Sequence, residues 1–78
     1  MPPATDASQR IAATVSAALR EAGITQQRAA RRSGIALATL ERRLSGVGKP
    51  FDTDELERIA DVLGLSIFDL IYRAEGAA

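Results

Sequence analysis

The 78-residue chain contains no cysteine and no histidine. Without thiols or imidazoles it can form no disulfide, no zinc site of the usual sulfur or nitrogen kind, and no histidine-based catalytic centre. Aromatic residues are scarce: Phe51, Phe68 and Tyr72 are all there are, and none lies between residues 20 and 49. Proteins that grip single-stranded nucleic acid need stacking platforms, so that basic, aromatic-free stretch is a poor match for such a partner. Long apolar runs are also missing, and the N-terminus lacks a basic segment followed by an apolar one. A cytoplasmic protein without a membrane partner is the expectation.

What is present is a 46% apolar chain, built mainly from Ala, Leu and Ile. At this length a hydrophobic core is close to the lower limit for stabilising a fold unaided. An all-α fold with small residues at close helix contacts satisfies both facts. Residues 1–5, with two prolines and no periodicity, read as a disordered lead, and residues 6–76 as one domain. Asp6 to Gln9 resembles a capping box, followed by Ile11, Val15, Leu19 and Ala22 at helical spacing, with Gly23 as the stop. Thr25 can cap a second helix running to about Arg32, and Ser33-Gly34-Ile35 breaks it. A third helix spans Leu37 to Leu44 and ends before Gly46 and Gly48. Asp52 with Glu55 opens a fourth helix whose inner face is Leu56, Ile59, Ala60 and Leu63, closed by Gly64. Ser66 with Asp69 opens a fifth, with Ile67, Leu70 and Ile71 as its inward stripe, ending near Gly76.

A net charge of zero conceals a polarised distribution. Residues 20–49 hold seven cations (Arg20, Arg28, Arg31, Arg32, Arg42, Arg43 and Lys49) against Glu21 and Glu41. Residues 50–78 hold seven acids against Arg58 and Arg73. The middle is therefore basic and the end acidic. Projected at about 100° per residue, the third helix turns Leu37, Leu40 and Leu44 to the core. Ala38, Thr39, Arg42 and Arg43 fall on its other side, two cations among small residues that permit close approach of a backbone or a base edge. Arg28, Arg31 and Arg32 on the second helix read as spanning more than half its circumference, so that not all would face one surface.

Residues 25–44, TQQRAARRSGIALATLERRL, resemble the helix-turn-helix of the lambda-repressor and Cro-like DNA-binding family. The matching features are Thr25-Gln26, Ala30, Gly34-Ile35, Thr39-Leu40, Gly46, Pro50 and the run LERIADVLGLSIFDL from Leu56 to Leu70; together they cover about residues 10–72. The resemblance implies a compact five-helix domain with the helix-turn-helix formed by its second and third helices. The second would lie across the backbone of double-stranded DNA and the third would enter the major groove. Departures are Leu19 and Leu44, where many members carry an Arg and Glu that form an internal ion pair, Ala36 at a frequent capping position, and the small Ala29. The loop over 46–51 also aligns poorly. Replacing both partners of an ion pair by apolar groups is physically permissible, whereas replacing one strands a charge.

The resemblance places Gln26 on phosphate, where the helix dipole also favours an anion. Arg28, Arg31, Arg32, Arg43 and Lys49 are further phosphate candidates. Arg42 is the expected base reader, because a guanidinium matches guanine O6 and N7 with two parallel hydrogen bonds. Leu37, Ala38 and Thr39 complete the base-reading set, the small pair suited to a thymine methyl. The acidic cluster Asp52, Asp54, Glu55, Glu57 and Asp61 reads as dipole-complementing and solvated acids, not as paired catalytic carboxylates. Val62, Phe68 and Tyr72 either finish the core or form a dimer contact. The expected protein is a minimal transcriptional regulator without a ligand-sensing or cleavage domain, a small repressor acting by operator occupancy as a homodimer, with no cofactor, metal or small-molecule ligand. The alternative is a protein-interaction module such as an antitoxin, with DNA binding secondary.

Overall fold

A computed structural model describes residues 6–76 as five α-helices: α1 (Asp6–Glu21), α2 (Gln26–Ser33), α3 (Leu37–Leu44), α4 (Thr53–Leu63) and α5 (Ile67–Ala74). The expected lead over residues 1–5 lies outside the described residues. Asp6 sits within the first turn of α1 and is not its cap, so the capping position falls outside them as well. The other starts follow the expected side-chain chemistry. Thr25 accepts from the Arg28 amide. Asp52 with Glu55, and Ser66 with Asp69, form complete reciprocal capping boxes. Donation by the Ser66 amide, reinforced by its hydroxyl and by nearby Arg73, holds the Asp69 carboxyl below its ordinary value of 3.8.

Val15, Leu40, Ile59 and Leu70 are the largest fully buried side chains. They come from α1, α3, α4 and α5, and one core cluster contains them all. α2 contributes Ala29 and Ala30, which let it lie close against α3 and α4. Phe51, from the loop before α4, fills in from the side. The inner face of α1 is drawn from Ala12, Val15, Ala18 and Leu19, while Ala22 is exposed. Ile71 is likewise on the outer side of α5, 38% exposed, because the buried residues there, Leu70 and Ala74, are four apart and Ile71 lies about 100° round from Leu70. Leu19 is buried and Leu44 packs against the same cluster, so hydrocarbon fills both positions.

The α2–α3 turn has its own supports. Gly34 takes a left-handed conformation (φ +76°) and its amide donates to the Ala30 carbonyl. The buried Ser33 hydroxyl donates to the same carbonyl and accepts from the Ile35 amide, both at 3.2 Å. From α4, Arg58 donates through Nη1 to the Ser33 carbonyl at 3.3 Å. A Cβ on Gly34 would stand 3.2 Å from that Nη1 atom. Ala36, at the start of α3, has no side-chain capping bond.

Two stability predictions follow from these ends. Gly34→Ala should destabilise the fold by about 1–2 kcal/mol, the cost of a left-handed L-residue, with added crowding of Arg58. Ala36→Ser should stabilise it by about 1 kcal/mol, since the backbone there is already extended and lacks only the oxygen. Thermal and denaturant unfolding of the two variants beside the parent chain would check both signs.

Candidate nucleic-acid interface

On α2 the apolar content is confined to Ala29 and Ala30, so the rest of the helix is free to carry charge. Arg28, Arg31 and Arg32 are exposed and line one shallow hollow together. This corrects the wide spread expected from the sequence. At about 100° per residue, the three lie within roughly 100° of arc, because 28 to 31 and 28 to 32 each nearly complete a turn. Gln26 stands apart from them. It lines a separate hollow at the start of α2 with Arg20, Ile24 and Leu44. Arg20 is thus a cation near the α2 N-terminus to which sequence spacing assigns no role. Its place depends on α1 ending beside the start of α2.

α3 presents Ala38 and Arg42 to solvent, with Thr39 half-exposed. Arg42 donates through Nη2 to the Thr39 hydroxyl at 3.4 Å, one turn back along the same face. That contact steers the guanidinium along the exposed face of the helix. Leu37 is half-buried and packs against the core cluster, so part of its side chain is committed inward. Its remaining surface lines an open hollow in the corner of the turn, beside Gln27, Arg31 and Ala36. Lys49 is exposed in the loop after α3.

Arg43 differs from the expectation. Its guanidinium is paired with Glu55, at 3.0 Å from Nε to Oε1, with Nη2 donating to Oε2 at 3.4 Å. The side chains are only 10% and 14% exposed. Glu55 therefore does not belong with the solvated acids. Three residues beyond Leu40, Arg43 lies only about 60° from the core direction, low enough for its long stem to reach across to α4. Asp52, Asp54, Glu57 and Asp61 are exposed, as expected for acids of that helix.

Phe68 and Tyr72 are 77% and 66% exposed, which removes the reading in which they finish the core. Val62 is half-buried and Ile71 joins the outer face of α5. Among the described residues no helix is long and apolar enough to cross a membrane.

The basic α2, the exposed face of α3 and the tight left-handed turn between them form a helix-turn-helix unit. Its outer surface can meet phosphates from α2 while α3 offers side chains to base edges. A family profile described as helix-turn-helix matches residues 15–70, from the core of α1 to Leu70 of α5. No significant match was found among curated proteins or solved structures. With the profile spanning most of the chain and the geometry of the turn in place, the chain belongs to the lambda-repressor/Cro-like helix-turn-helix family of DNA-binding transcription regulators.

Proposed function

We propose that the protein is a sequence-specific regulator of double-stranded DNA, a small repressor that acts by occupying an operator as a homodimer. The observation that carries this reading is the division of labour across the turn: clustered arginines on α2, and on α3 an exposed Arg42 steered by Thr39 beside the small Ala38. Gln26, Arg28, Arg31, Arg32 and Lys49 are the proposed phosphate contacts. Arg42, Ala38 and Thr39 are the proposed base readers, with the outward edge of Leu37 at their margin. The acidic exposed face of α4 favours one docking polarity, since phosphate repels it.

A homodimer supplies a use for the outer face of α5. Phe68 and Tyr72 are one helical turn apart, and Ile71 widens the patch. A contiguous exposed apolar patch of this kind is suited to contact with another protein surface. Two copies related by a two-fold axis would place their third helices in successive major grooves, about 34 Å apart.

Arg42 provides the test of reading as opposed to mere adhesion. Arg42→Ala should cost about 1–3 kcal/mol at one base pair in each half-site, the worth of a two-pronged guanine contact. Weak binding to random duplexes should persist with its steep salt dependence, which counterion release from the α2 cations maintains. The measurement is a binding series over duplexes varied one base pair at a time, starting from sequences selected out of a random pool. Equal loss on every duplex would assign Arg42 to phosphate instead.

Assembly is tested separately. Phe68→Glu should weaken binding to a full inverted repeat far more than to a half-site, and should shift sedimentation on DNA from two chains per duplex to one. A parent chain that binds an asymmetric site one-to-one would refute the two-fold arrangement.

A further inference from the structure

The proposed reading helix, α3, is tied to α4 by a covered ion pair. α3 packs its backbone against α1 and α2, while its backbone approach to α4 is sparse. Between the two helices runs the Arg43–Glu55 pair, two contacts between planar groups whose side chains are largely covered. Glu55 is itself fixed, because its Oε1 accepts from the Asp52 amide at 3.0 Å and closes the capping box of α4. A carboxylate held at a helix N-terminus thus receives a guanidinium from the last turn of α3. Each charge also complements the dipole of its own helix. Arg58, one turn further along α4, holds the Ser33 carbonyl at the turn between α2 and α3. α4 therefore grips the unit at the end of α2 and at the end of α3.

We infer that Glu55 and Arg43 are positioning residues for DNA reading: their bridge sets the angle at which α3 presents Arg42 and Ala38, and it keeps Arg43 off the phosphates. The inference rests on the DNA-binding reading above. A planar two-point bridge resists rotation in a way that a single-point contact or an apolar contact does not. Arg42 lies immediately before Arg43 in the same turn, so tilting this end of α3 moves Arg42 directly.

The test compares Glu55→Gln, Arg43→Met and the double variant with the parent chain. Glu55→Gln keeps the shape and a carbonyl for the cap, and Arg43→Met keeps part of the apolar stem. Each single variant should lower the ratio of binding to the preferred duplex over a random duplex roughly ten-fold, on the order of one mismatched base pair. The double variant should lose no more than the worse single, since both break one bridge. Arg43→Met should leave the salt slope on random duplex unchanged, and Arg43→Lys, with charge but no fork, should fall between parent and Met. Hydrogen exchange without DNA should show faster exchange in α3 and parent-like protection in α1 and α5, which separates loosening of one helix from global destabilisation. A salt slope reduced by about one in Arg43→Met would make Arg43 a phosphate contact and overturn the inference. Folded variants that keep the parent's discrimination would overturn it too, leaving the DNA-binding reading intact. A parent chain that binds no duplex from a random pool would overturn both.

Discussion

The close approach that Ala29 and Ala30 permit between α2 and its neighbours is the constraint on which the rest of the structure depends. These two side chains are all the apolar surface that α2 offers the core, and both are buried. A methyl-sized group returns only about 0.8 kcal/mol on burial, so hydrophobic contact alone holds this helix weakly. Its ends make up the difference. Thr25 satisfies an amide at the start, and Gly34, Ser33 and Arg58 take up the carbonyls at the finish. With the inner face reduced to two alanines, the outer face is free to carry Arg28, Arg31 and Arg32 together.

The same economy governs the charges inside the molecule. Leu19 is buried and Leu44 packs against the same apolar cluster, at positions where many helix-turn-helix domains place opposite charges, and no charge is left stranded there. A nearly covered ion pair exists all the same, one position along, between Arg43 and Glu55. Desolvating two charges is expensive, and the two-point geometry together with the second hydrogen bond to Glu55 offsets it. Among the described residues no buried side-chain polar atom is left without a partner. The exposed pairs, Arg58 with Asp54 and Arg10 with Glu75, are solvated and contribute little by comparison.

Charge separation and apolar exposure divide the surface in complementary ways. The cations of α2 and α3 lie on elements that pack by small residues and leucine, whereas the acids of α4 flank a helix whose inner face is large and apolar. Beyond them, the outer side of α5 carries the exposed aromatic pair. The α2–α3 surface suits the anionic polymer of the proposed function, and the outer side of α5 is consistent with the proposed protein contact.

Much of this was legible in the sequence because the rules that set helix ends are local. Thr25, Asp52 with Glu55, Ser66 with Asp69, and the glycines after α1, α2 and α4 mark their boundaries through side-chain reach and left-handed backbone within a few residues. The spacing of Leu37, Leu40 and Leu44 likewise determined which way α3 faces, and the concentration of arginine marked the helix-turn-helix as the basic surface. What the tertiary structure alone decided is where long side chains end. Arg43 could turn to phosphate or to a carboxylate, and only the placement of the α4 N-terminus put Glu55 within its reach. The burial of Phe51, the exposure of Phe68 and Ile71, and the reach of Arg58 to Ser33 have the same origin. Periodicity specifies the direction in which a side chain leaves its own helix, but a partner many residues away is specified by how the helices stack, which is settled by the fit of the whole core.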